Sequence, residues 1–367
     1  MLNVHIIYHK YLLDDGTTVS VGGIQTYISA LADIISQNGH HVFIHQTAKK
    51  AFSLALGRVQ VVGHTEPDLS NAVIQTLSAE DIVLFATEDL IVPCPCRSIA
   101  IQHGIAWDKP SRTGSPRWVN RLFILKRAWQ GYVRIRKLSL VDLLVCVDYN
   151  FINWYKTQVG YPEVRYQVIP NFTQIPAKEA LPKKHSENDQ LRIIFARRLF
   201  DYRGTRIFSN AAAKILKEYP NVFITIAGEG PDKEWMMNRL ADCNRVEFIS
   251  YSASDSIEIH KNKHIAVIPT IGSEGTSLSL LEAMASGCAV VCSNVGGMTN
   301  IVIDGYNGLM VNPDEDSLYT AMKKLIEHTE LRRKLADKAY ETVADGFSLE
   351  KWTAKWMSIL NEINIRK

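Results

Sequence analysis

Apolar and polar positions follow two rhythms along this chain. Short β-branched runs at residues 3–9, 41–45, 59–63, 81–86, 98–102, 142–147 and 166–169 predict strands. Between them apolar positions recur at helical spacing. After Gly22-Gly23, the side chains of Ile24, Tyr27, Ile28, Leu31, Ile34 and Ile35 fall on one helical face, and Asn38-Gly39 closes that helix. Continuous apolar strands alternating with helices imply a parallel sheet covered on both faces.

Residues 176–190 break the rhythm with Pro176, Pro182 and a polar run from Lys183 to Asp189, which reads as a linker. The alternation then restarts, with strands expected at 191–196, 222–227, 246–249, 264–269, 289–292 and 309–311. The tail after Phe347 predicts one amphipathic helix, with Trp352, Trp356, Ile359, Leu360 and Ile363 on a single face. The expected architecture is α/β, with two doubly wound, Rossmann-like domains at 1–180 and 181–346 facing across a cleft. A terminal helix at 347–367 packs back across the junction. Ligands of such sheets bind at the carboxyl ends of the strands.

Composition changes little in this picture. The 367 residues are 46% hydrophobic and 22% charged, which excludes a disordered chain and supplies two cores. No apolar run is long enough to cross a bilayer. The chain start lacks a charged segment followed by a long apolar core, so no secretory leader is expected. The six cysteines (94, 96, 146, 243, 288 and 292) have no zinc spacing and read as reduced thiols of a cytoplasmic protein.

Charge changes more. The first 180 residues carry 17 basic and 14 acidic residues, and the rest carries 24 of each. Nine of the 17, from Lys109 to Lys137, lie in a stretch with no acid. Within it Trp118, Leu122, Leu125, Trp129, Tyr132 and Val133 share a helical face flanked by Arg117, Arg121, Lys126 and Lys137, while Arg136 interrupts that face. Such a helix at 112–137 suits the interface of an anionic membrane, and it equally suits packing on the first domain. No nucleic-acid-binding module surrounds it, so no nucleic-acid partner is expected.

The densest chemistry lies at 269–287. A strand ends at Pro269, a Gly/Ser/Thr-rich turn follows, and a helix begins near Ser277. Amides of Thr276, Ser277 and Leu278 would lack helical acceptors and point at an anion such as a diphosphate. Glu274 in the turn and Glu282 in the helix could each accept hydrogen bonds from ligand hydroxyls. After the first strand of the second half come Arg197, Arg198 and Arg203, and planar guanidinium groups suit phosphate oxygens. Asp314-Glu315-Asp316 reads as a helix N-cap with an acidic first turn rather than a metal site.

These residues resemble the GT-B glycosyltransferases of the large retaining family 4, the group 1 glycosyl transferases with an E-x7-E motif. Glu274 and Glu282 stand at that spacing. Arg198-Leu199 through Arg203-Gly204 is similar to the family's G-R-L-x-x-x-K-G, with Arg197 in place of its glycine and Arg203 in place of its lysine. Gly22-Gly23, Gly39-His40-His41-Val42, Ile169-Pro170-Asn171, Gly228-Glu229-Gly230-Pro231, Gly296-Gly297 and Gly305-Tyr306-Asn307-Gly308 match further turns. Thr276-Ser277 stands where Phe-Gly is usual, and Phe172 where a glycine follows the asparagine.

The resemblance implies an acceptor-binding first domain and a second domain that binds a nucleotide-sugar donor. Arg198, Arg203 and the amides at 276–278 would meet the departing diphosphate. Glu282 would hold the ribose, Glu274 the donor sugar, and His103 the donor or acceptor. Gly22, Gly23, Asn171 and Gly228 would line the donor site. No metal or resident cofactor is expected, because arginines serve the diphosphate. The implied reaction is sugar transfer with retention to a lipid-linked glycan in cell-surface polysaccharide or lipopolysaccharide synthesis. The alternatives are a non-catalytic nucleotide-sugar-binding scaffold and another GT-B enzyme, such as a nucleotide-sugar epimerase or a sugar phosphorylase.

Overall fold

The computed structural model describes residues 2–13, 16, 18–20, 22–105, 117–157, 163–182, 184, 190–241, 243–272 and 274–365, without the side chains of 117–122, 364 and 365. Within them the chain forms two compact units. One runs up to Pro170 and regains the chain from Trp352; the other spans Asn171–Lys351. Residues 106–116, which include the start of the basic stretch, and Lys183 and 185–189 of the expected linker, lie outside the described residues.

The first unit is built on eight strands: β1 Asn3–Ile7, β2 His41–Thr47, β3 Phe52–Leu56, β4 Val59–His64, β5 Ile82–Phe85, β6 Arg97–Gln102, β7 Leu143–Cys146 and β8 Tyr166–Val168. Their order is β3-β4-β2-β1-β5-β6-β7-β8. All pair in parallel except β3, which folds back antiparallel on β4 through Gly57-Arg58. The sequence reading has no strand at β3. Its residues alternate half-buried and exposed, as suits an edge strand covered on one side, so it lacks the continuous apolar run of its neighbours.

The second unit holds β9 Leu191–Ala196, β10 Val222–Ala227, β11 Val246–Ile249, β12 Ile265–Ile268, β13 Ala289–Ser293 and β14 Leu309–Val311, in the all-parallel order β11-β10-β9-β12-β13-β14. Every expected strand is present to within two residues. The apolar run of β9 explains how this sheet is buried. Ile193 and Phe195 join one core with Phe208 and Ile215, and Ile194 and Ala196 join a second core on the opposite face with Leu281 and Met284. The strand order reverses between β9 and β12, which opens a crevice at their carboxyl ends.

The change of unit falls at 170/171 rather than at 180/181. Segment 171–184 is polar and punctuated by proline, yet hydrogen bonds tie it to the second unit. Asn171 Nδ2 donates to the Thr276 carbonyl (2.6 Å), and the Tyr340 hydroxyl donates to the Pro176 carbonyl (2.7 Å). The Lys184 ammonium donates to the carbonyls of Lys261, Lys263 and Ser286 at 2.6–2.9 Å, near the carboxyl ends of two helices, where a cation is favoured.

The last helix, Leu349–Ile365, changes unit between Lys351 and Trp352. Its apolar face is the expected one, with Trp352, Trp356, Ile359, Leu360 and Ile363 all buried. The Trp356 indole donates to the Tyr27 hydroxyl (2.9 Å), and Trp352 lies edge-on to the Tyr27 ring (5.1 Å). This helix therefore completes the first core.

Candidate active site

The reversal point of the second sheet gathers the charged residues. Arg197 and Arg198 follow the end of β9, and the chain then makes a tight turn at Asp201–Arg203. Gly204 follows at φ 82° and opens the helix Thr205–Glu218. A Cβ at Gly204 would overlap the Pro269 carbonyl, so only glycine lets this turn lie against the loop after β12. The Ile271 amide donates to the Tyr202 carbonyl (3.0 Å) and stitches the two loops together. On the other side, Gly228 (φ 136°) packs where a Cβ would overlap the Arg197 carbonyl.

Glu274 sits at the centre. Arg197 Nη2 contacts both of its oxygens, at 2.5 and 2.7 Å, and Arg203 Nη1 approaches Oε1 at 2.7 Å. The Thr270 hydroxyl donates to Oε2 (2.7 Å) and accepts from Arg197 Nη1. Burial alone would push the Glu274 carboxyl up. Arg197 and Arg203 outweigh that and hold it well below the usual carboxylate range. The same burial lowers the Arg197 guanidinium, although Glu274 opposes the shift.

The residues singled out in the sequence divide here. Arg203 joins Glu274, whereas Arg198 is exposed, with Nη2 3.5 Å from the Tyr202 hydroxyl and its guanidinium over the Phe200 ring. Arg197 takes the place beside Glu274. Successive side chains of an extended segment point to opposite sides, so only one of two adjacent arginines can face Glu274. The one signal available was that Arg197 follows directly on a fully buried strand end, Ile193–Ala196.

Glu282 lies in the helix Leu278–Ala285, and enclosure pushes its carboxyl up to about 7, against the opposing pull of Ser256 and Arg197. Tyr251 lies close enough to feel both Glu282 and Arg197. Ser277 caps the helix start without a side-chain bond, and among the described residues neither its buried hydroxyl nor the Asn171 Oδ1 has a partner. Thr276 is buried beside them.

The first unit holds the other named residues. Gly22 is the extended N-cap of the helix Gly23–Gln37. Tyr27, one turn on, meets the His103 ring edge-on at 5.0 Å. Burial pushes His103 down to about 4, so the ring is neutral near pH 7. It hydrogen-bonds the Ala86 backbone, and among the described residues its buried Nε2 has no partner. Further histidines lie in the same unit. Three of them, His5, His45 and His64, form a hydrogen-bonded chain across β1, β2 and β4 at 2.9 Å per link, with His45 driven down to about 3 by burial. Asp314 caps its helix by accepting from the Ser317 amide, and Glu315 and Asp316 pair with Lys214. Among the described residues, no group of three or more His, Cys, Asp or Glu is arranged to hold a metal ion.

Residues 177–342 match the family model described as glycosyl transferases group 1. Over these residues the chain is similar to that family. It is 28% identical over 187 residues to the uncharacterized glycosyltransferase MJ1607 of Methanocaldococcus jannaschii, covering 49% of this chain and 46% of that protein. It is 23% identical over 221 residues to the O-antigen biosynthesis glycosyltransferase WbnH of Escherichia coli, covering 60% of each. The chain thus spans about half the length of the curated relatives it matches. The structure of Anabaena Alr3699/HepE in complex with UDP-glucose superposes with a TM-score of 0.73 at 16% identity, over 99% of this chain and 100% of that one. That likeness fixes the fold as GT-B.

Proposed function

We propose that this chain is a retaining glycosyltransferase that moves a sugar from a nucleoside-diphosphate sugar to a glycan acceptor carried on a lipid, in the synthesis of a surface polysaccharide. The observation that carries the reading is the buried Arg197–Glu274–Arg203 cluster at the sheet reversal, beside the start of the helix Leu278–Ala285. A departing diphosphate needs fixed donors where its charge grows. Arg203 and the amides at 276–278 supply them, with Arg198 as a further cation at the loop surface. Glu274 stays anionic, and because two guanidinium groups and a hydroxyl already claim its oxygens it serves as an acceptor toward the donor sugar rather than as a nucleophile. That favours a front-face route. The bond from the sugar to the diphosphate breaks as the acceptor oxygen bonds to the same face, and the leaving phosphate oxygen takes the acceptor's proton. Glu282 accepts from the ribose hydroxyls, Asn171 and Ser277 offer unclaimed oxygens, and His103 offers Nε2 as a neutral acceptor. The UDP-glucose bound by the Anabaena protein and the O-antigen role named for WbnH support this donor and acceptor class. The arginines make a divalent ion unnecessary.

The helix Arg117–Lys137 supports a peripheral, cytoplasmic-face location. Leu125 and Trp129 are 67% and 66% exposed, and Ile124, Phe123 and Tyr132 are exposed with them. Arg134 and Lys137 are spent on Glu88 and the Asp89 carbonyl, while Lys126 and Arg136 stay at the surface. Among the described residues no helix is long and apolar enough to cross a membrane. An apolar face with basic flanks lies in the interface of an anionic bilayer, where a lipid-linked acceptor would be met.

The test is incubation with UDP-, GDP- and ADP-sugars, a lipid extract and EDTA. Release of nucleoside diphosphate with an α-linked product from an α-configured donor, read by NMR, is the expected result. An inverted product, an isomerised donor or an absolute requirement for a divalent ion overturns the respective part.

A further inference from the structure

The two arginines on Glu274 are unequal. Arg197 has a 3% exposed side chain and commits both Nη atoms, one to Thr270 and one across both oxygens of Glu274. Arg203 is 20% exposed, rides on a three-residue turn over the Tyr202 ring, and holds Glu274 through a single contact on Oε1. One carboxylate needs one counter-ion. The cluster therefore carries a surplus positive charge, and it sits on the looser residue.

We propose that Arg197 is a positioning residue whose fixed pair with Glu274 frees Arg203 to exchange that carboxylate for a ligand diphosphate. This rests on the nucleotide-sugar reading above. When Arg203 turns from Oε1 to a phosphate oxygen, Arg197 keeps Glu274 paired, so no buried carboxylate is left without a cation. Were Arg197 absent, the same movement would strip Glu274 of its last counter-ion, which is strongly unfavourable in a buried site. Arg197 touches neither phosphate nor sugar in this scheme; it acts through Glu274.

Calorimetric titration of UDP, GDP, ADP and the matching monophosphates into four proteins tests the proposal: the parent chain, R197Q, E274Q and R197Q/E274Q. The parent is expected to prefer one diphosphate over its monophosphate. R197Q should weaken that diphosphate about tenfold or more and the monophosphate about twofold at most. Removing Glu274 as well should restore diphosphate affinity, because Arg203 then has no carboxylate to leave. A merely structural role for Arg197 predicts equal losses for both nucleotides and no recovery in the double variant, and either result overturns the proposal. Should R197Q fail to fold, E274Q and R197Q/E274Q carry the comparison: equal diphosphate affinities support the proposal, and a further loss in the double variant overturns it. If the parent binds no nucleoside diphosphate, the donor reading falls and takes this inference with it. If the parent binds one but R197Q does not discriminate, this inference falls alone.

Discussion

The carboxyl ends of the two sheets share a topology and differ in chemistry. In the second unit, charge meets charge: a carboxylate and two guanidinium groups neutralise one another and keep a surplus cation. In the first unit His103, at the end of β6, is neutral and padded with rings, His103 against Tyr27 and Tyr27 against two tryptophans, while the ion pairs His9–Asp89 and Arg134–Glu88 stand apart beyond β1 and β5. A doubly wound sheet supplies the place for a ligand, and the loops alone decide whether that place is ionic or apolar.

The contrast can be broken most forcefully at Glu274. Glu274→Ala leaves the buried Arg197 guanidinium and the half-buried Arg203 without their counter-ion and should cost about 3–5 kcal/mol of stability. Hydrogen exchange should place the loss in the second unit, at β9 and β12, with the first unit unchanged. Tyr27→Phe is the matching change in the first unit. It removes the acceptor of the buried Trp356 indole and should cost about 1–3 kcal/mol, localised by the same method to the helices Gly23–Gln37 and Leu349–Ile365. Loss of protection spreading across both units in either variant would erase the distinction.

A smaller effect sharpens it. Glu282 is pushed up to about 7 while His103 is pushed down to about 4, so between pH 5 and 8 the second unit's carboxyl titrates and the first unit's imidazole does not. If Glu282 holds the ribose as proposed, its ionised form is the better acceptor. The donor KM should therefore rise about tenfold per pH unit below 7, and Glu282→Gln should flatten that slope. Stability runs the other way. The folded carboxyl binds its proton more readily than the unfolded one, so Glu282 costs stability increasingly as pH rises from about 4.5 to 7. Glu282→Gln should accordingly raise the melting temperature at pH 8 and leave it nearly unchanged at pH 4.

What the sequence displayed and what it hid follow from the same physics. Strands buried on both faces write themselves as unbroken apolar runs, which is why β9 and β10 match residue for residue. β3 is covered on one side only and leaves no such run. Glu274 and Glu282 declare themselves by spacing within one turn and helix. The partnership of Glu274 with Arg197 joins positions 77 residues apart, and nothing local separates Arg197 from Arg198 except the side of the chain each occupies. The start of the second unit was masked for a similar reason. Polar, proline-punctuated sequence looks like a tether, and the long-range bonds of Asn171, Pro176 and Lys184 that pin it down have no signature along the chain.

The closing helix also bears on how the protein is made. Tyr27 emerges early from the ribosome, but the two tryptophans that cover it are translated only after the whole second unit has been synthesised. During synthesis the N-terminal core must wait with an apolar gap at Tyr27, so the later unit is the first to have all of its own parts. A nascent chain stalled before Trp352 would present that gap to chaperones and proteases.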